Sequence, residues 1–193
     1  MWLRFALISS GLTLLIHLVM LVITGQNPIV MPVSELSRHA FGMLHTAALV
    51  LFGGAHIALA IALGGMDRGR LWPIARGLLI AAGIGLIYVA YYYLTASDVE
   101  ISTPGADIRL WIVASLTGAA MGALQPGLSR QARRLGILST VCLGLWLWMV
   151  PVFFFVDDTW IGAYQRTVGA IYVFWLTSVS LGLLRNPELP RAA

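Results

Sequence analysis

Six apolar runs of hydrocarbon length, parted by short polar breaks, decide what this chain can fold into. They lie at about 2–24, 40–65, 71–95, 108–124, 135–156 and 161–184. A helix that crosses a bilayer needs about 20 mostly apolar residues. Lipid offers backbone groups no partner, so each crossing segment must satisfy its own hydrogen bonds as a helix. The expected fold class is all-α: a polytopic membrane bundle of six transmembrane helices, forming a single transmembrane domain over 1–193. Composition agrees, with 59% apolar and 10% charged residues against about 25% charged in soluble domains. No stretch is left for a separate soluble domain.

The breaks have their own logic. The first run starts with Met-Trp-Leu-Arg like a signal peptide, but its apolar part is too long and no small-x-small cleavage site follows, so a retained helix is expected. The fourth run is expected to stop at Gln125-Pro126-Gly127, and Pro151 to bend the end of the fifth. Gly77, Ala81 and Gly85, and likewise Ala114, Gly118 and Gly122, recur every four residues. Small residues at that spacing let helix backbones approach closely.

Charge orients the bundle. All twelve basic residues are arginine, scattered singly between apolar runs, which excludes a nucleic-acid-binding surface. Arg4, Arg68, Arg70, Arg76, Arg130, Arg133, Arg134, Arg185 and Arg191 fall on one side, and only Arg38, Arg109 and Arg166 on the other. By the positive-inside rule both termini are cytoplasmic, in an inner (cytoplasmic) membrane crossed several times. Glu35, Asp98, Glu100, Asp107, Asp157 and Asp158 lie on the outer side. Trp2 and Trp72 at inner ends, with Trp111 and Trp160 at outer ends, suit an aromatic belt. Cys142 is the single cysteine, so the chain holds no intramolecular disulfide and no thiolate cluster.

The densest polar stretch is Pro32 to His45, with Ser34, Glu35, Ser37, Arg38, His39 and His45. His17 and His45 sit at matched depths, roughly 10 Å and 7 Å below the outer ends of helices one and two. His56 follows His45 by three helical turns, on nearly the same face. Such imidazoles are suited to a bis-histidine haem, a proton path or general-base catalysis with Ser34, Ser37 or Glu35. The plainer account has them neutral and bonded within the bundle. No HxxxH, GxSxG or HExxH spacing is present. No acid lies at the centre of a span, which argues against ion-coupled transport. Arg76 is expected to snorkel to the cytoplasmic face.

Asn27-Pro28, Val33-Ser34-Glu35-Leu36-Ser37, Phe52-Gly53-Gly54 and the closing Ile161-Gly162-Ala163-Tyr164-Gln165-Arg166 together resemble the domain-of-unknown-function 998 family of six-helix prokaryotic membrane proteins. Ser37 stands where that family often has glycine, and Trp111 lies near where it has a histidine. The resemblance implies the six-helix fold and leaves the activity open. A fainter likeness to eukaryotic six-helix proteins linked to lipid-anchor remodelling points to lipids.

The leading expectation is a lipid or amphiphile bound at a polar outer-face site. Its residues are Glu35, Arg38, His45, Tyr92, Asp157, Asp158, Tyr164 and Arg166, with Arg38 and Arg166 taking an anionic headgroup. No cofactor is expected in that case. The alternative is a haem-binding redox protein using His17 and His45. Third comes an outward-facing lipid hydrolase or transferase, with His39 or His45 as base beside Ser34 and Glu35. Membrane lipids are the expected partners, and a homo-oligomer is compatible with the sequence.

Overall fold

A computed structural model describes residues 1–25, 27–38, 40–66, 69–95, 104–157 and 159–186, with 104–107 and 131 described by backbone alone. The described elements are all helical: α1 (Trp2–Thr24), α2 (Gly42–Ala62), α3 (Leu71–Thr95), α4 (Pro104–Gln131), α5 (Arg133–Val152) and α6 (Ile161–Arg185). Two 3-10 turns, Val33–Arg38 and Leu63–Gly65, flank α2. Six helices long and apolar enough to cross a membrane make this a multi-pass membrane protein. His39, Arg68, Asp98, Glu100, Asp158, Arg191 and the side chain of Asp107 lie outside the described residues.

Three boundaries differ from expectation. Helix α2 begins at Gly42 and tightens into a 3-10 turn from Leu63. Helix α4 does not stop at Leu124 but runs through Pro126 to Gln131. An internal proline removes one backbone bond, yet inside a bundle a neighbouring helix can hold the loosened turn. Here the Gln125 amide donates to Ser129 Oγ and to Thr140 Oγ1 of α5, each at 3.0 Å. Helix α5 ends at Val152, one residue after Pro151. The chain leaves it in tight turns, Phe154 N–H reaching the Pro151 carbonyl at 3.2 Å.

Each helix packs against its sequence neighbours, and α6 returns to α1, so the six form a closed ring in which α2 also touches α6. Neighbours run antiparallel: Thr13 of α1 bonds the Ala48 carbonyl of α2, while His17, one turn on, meets His45. The buried wall of α2 is built from small residues such as Ala48, Gly53, Ala55 and Ala58, and large apolar side chains such as Val22 (81% exposed) point outward. Lipid is as apolar as the core, so interior positions are selected for close approach. A reciprocal close approach joins α2 to α3, where a Cβ on Gly53 would lie 2.6 Å from the Gly83 carbonyl oxygen, and one on Gly83 equally near that of Gly53.

Helix ends are closed by named groups. Gly25, at φ 61°, terminates α1 in the left-handed conformation. At the other end of the bundle Trp72 Nε1 donates to the Leu63 carbonyl at 3.0 Å, and Arg76 Nε to that of Ala60 at 2.9 Å. Arg76 therefore caps the last turn of α2 as well as reaching toward the helix end.

Candidate functional site

The connection between α1 and α2 lies across one end of the ring and is stitched to the start of α6. Ala163 N–H donates to the Ile29 carbonyl at 2.9 Å, and Val33 N–H to Gln165 Oε1 at 2.7 Å. Arg166 Nη1 donates to the carbonyls of Pro28 and Met31, at 2.9 and 2.7 Å. Gly162 allows this contact, because a Cβ there would run into the Met31 carbonyl.

Beneath this clasp lies a cavity of about 360 Å³ lined by all six helices and by Val33 and Leu36 of the 3-10 turn. Its roof includes Trp111, Phe153 and Tyr164, with ring centroids 5.3 Å apart for Trp111–Phe153 and 5.9 Å for Phe153–Tyr164. Its floor includes Tyr172, whose hydroxyl donates to the Ala114 carbonyl of α4 at 2.5 Å, and Thr117. Most lining side chains are apolar; His17, Ser115, Gln165 and Arg166 are among the few that are not. Ser115 Oγ and Arg166 Nη2 are buried without a hydrogen-bond partner.

His17 lines the cavity, and its Nδ1 lies 3.0 Å from the Thr13 carbonyl. A carbonyl only accepts, so Nδ1 carries the hydrogen and Nε2 the lone pair. His45 sits behind it, 1% exposed, its ring edge-on to His17 at 5.3 Å and tilted against Tyr93 at 5.9 Å. Neither nitrogen of His45 has a hydrogen-bond partner. His56 is bonded instead: Nδ1–H donates to the Phe52 carbonyl at 2.8 Å, and Nε2 lies 3.4 Å from Thr117 Oγ1.

The sequence-derived sites thus separate. His17, Tyr164 and Arg166 meet at the cavity. Glu35 and Arg38 form a half-exposed ion pair at 3.8 Å on the 3-10 turn and do not line it. Such a pair contributes about 0–1 kcal/mol. Ser34 is buried, and its carbonyl accepts the Ser37 hydroxyl at 2.6 Å. Neither Ser34 nor Glu35 hydrogen-bonds to His45. Tyr92 lies under Arg109, whose guanidinium carbon is 3.7 Å from the ring centroid. Asp157 accepts from Thr159 in its own loop, and these bonds hold its carboxyl below the usual carboxylate range. His39 and Asp158 lie outside the described residues.

Haem between His17 and His45 does not fit this arrangement. Two axial imidazoles face each other across a macrocycle, whereas these rings touch edge to face. Sequence reasoning passed over Trp146, Gly169 and Tyr172, which also line the cavity. Gln165, Gly169, Tyr172 and Val173 follow helical spacing, so this face of α6 carried a signal in its periodicity.

The family described as "Protein of unknown function (DUF998)" matches residues 7–182, from α1 to α6. The chain belongs to the DUF998 family. Two stretches that carried the resemblance meet in space: Asn27–Ser37 and Ile161–Arg166 hold the halves of the clasp over the cavity. No curated protein and no solved structure matches the chain.

Proposed function

We propose that this DUF998 protein binds a lipid or amphiphile, with the apolar part in the cavity under the first-loop clasp and the polar part at Arg166. The observation that carries this reading is the cavity itself. At about 360 Å³ it falls within the range of small-ligand sites, about 300–1,000 Å³. It is walled mostly by apolar side chains, with the charged Arg166 and Gln165 at the clasp end, a distribution that an amphiphile matches. The arginine bias of the connections turns this end away from the cytoplasm, so the ligand belongs to the outer leaflet. Glu35 and Arg38 hold the turn whose Val33 and Leu36 close the roof.

Gly169 supplies the test. It lines the cavity, and a Cβ there meets nothing within 4 Å, so the side chain of Gly169→Leu starts in open space. Native mass spectra of protein taken gently from its own membranes are expected to show a non-covalent lipid or amphiphile adduct. Gly169→Leu is expected to lower its occupancy several-fold while the helical circular dichroism is unchanged. A bare wild-type chain, or an adduct indifferent to Gly169→Leu, counts against the cavity as the site.

A further inference from the structure

The charge and size of the cavity say more about its ligand than that it is amphiphilic. Resting on the reading above, we propose that the ligand is a single-chain amphiphile with an anionic oxyacid head, a carboxylate or a phosphate monoester, seated against Arg166.

Among the described residues, Arg166 is the only arginine lining the cavity, and no aspartate or glutamate lines it. Its Nη1 is committed to the carbonyls of Pro28 and Met31, which fix the guanidinium fork in place. Its Nη2 is buried with no acceptor. Carbonyl partners supply dipoles but no counter-charge, and a half-buried cation without one is destabilised relative to one that is paired. A carboxylate or phosphate oxygen supplies both the missing charge and the missing acceptor, in the planar geometry that guanidinium favours.

The neighbouring histidine adds a second requirement. With Nδ1–H given to the Thr13 carbonyl, His17 offers the cavity an acceptor at Nε2. A carboxylate meets the first requirement alone, whereas a singly ionised phosphate monoester carries both an O–H for that acceptor and a charged oxygen for Arg166. A quaternary ammonium head carries neither and repels the arginine. A simple alcohol leaves the guanidinium without a counter-charge.

Size selects the tail. A volume of about 360 Å³ takes much of one alkyl chain and lies at the small end of ligand sites, about 300–1,000 Å³, so one chain matches it better than two.

The experiment titrates delipidated, folded protein in detergent with four probes, and native mass spectrometry reads occupancy. The probes are palmitate, hexadecyl phosphate, hexadecanol and a two-chain phosphatidylglycerol. One palmitate or one hexadecyl phosphate per chain is expected, bound about tenfold or more tighter than hexadecanol, the scale of one charged hydrogen bond. The stronger of the two names the head. Phosphatidylglycerol, anionic but two-chained, is expected to bind weakly. Hexadecanol binding as tightly as both acids overturns the anionic head and leaves the cavity reading standing. Phosphatidylglycerol matching them overturns the single chain. Saturable binding by none of the four overturns both this inference and the reading beneath it. These comparisons use the wild-type chain, so they do not depend on a variant that folds. Arg166→Gln is then expected to erase the preference for acid over alcohol, and Arg166→Lys to retain part of it.

Discussion

Two buried histidines on one helix have opposite circumstances. His56 donates to the Phe52 carbonyl and lies near the Thr117 hydroxyl, whereas His45 has no partner for either nitrogen. A buried polar group left unsatisfied costs about 1–3 kcal/mol, and a made hydrogen bond contributes about 1 kcal/mol. His45→Leu, close in volume and free of polar atoms, is therefore expected to leave the unfolding midpoint in detergent unchanged or to raise it. His56→Leu is expected to lower stability by about 1–2 kcal/mol through its lost bonds. Thermal unfolding of the two variants side by side checks both. A fall of several degrees for His45→Leu would show that its imidazole bonds to something in the folded protein. Composition could place these rings at related depths, but it could not tell the bonded one from the bare one. That distinction depends on which backbone carbonyl or hydroxyl each ring meets.

Between elements, the small-residue stripes were legible only in part. Gly85 packs against Val113 of α4 and Gly118 against Trp146 of α5, as a packing stripe should. Gly77, in the same register as Gly85, faces open space. The reciprocal backbone approach of Gly53 and Gly83 lies outside either stripe. The obstacle to a Cβ at Gly53 is a backbone oxygen, which cannot swing aside. Gly53→Ala and Gly83→Ala are each expected to destabilise by about 1–3 kcal/mol, the range for overpacking a close-packed site. Gly77→Ala is expected to be neutral or to stabilise by up to about 1 kcal/mol, because alanine is the better helix former. Equal effects at Gly53 and Gly77 in detergent unfolding would contradict the crossing. The run-on of α4 past Pro126 has a similar origin. A proline stop is a local rule, and the bonds from Gln125 to Ser129 and Thr140 override it from within α4 and from α5.

At the scale of the whole molecule, six spans among the described residues would place both termini on one side, and the arginine bias predicts that this side is the cytoplasm. A fluorescent protein fused after Ala193 is expected to light up in the cytoplasm. Alkaline phosphatase fused after Thr103, between α3 and α4, is expected to be active outside. The reverse pattern would put the cavity in the cytoplasmic leaflet. The sequence by itself determined the number of spans and the all-α class, because bilayer thickness and unsatisfied backbone groups act on length and composition alone. It also marked the polar stretch beside α2. Only the tertiary structure decided which polar groups share the cavity, separating Arg166 and His17 from Glu35 and Arg38. The reason lies in the solvent. A helix in water shows its inner face as an apolar stripe, but one between lipid and an apolar core is apolar all round. The rotation of each helix about its axis is then set by close contacts such as Gly53–Gly83 and by the clasp of the first loop on α6.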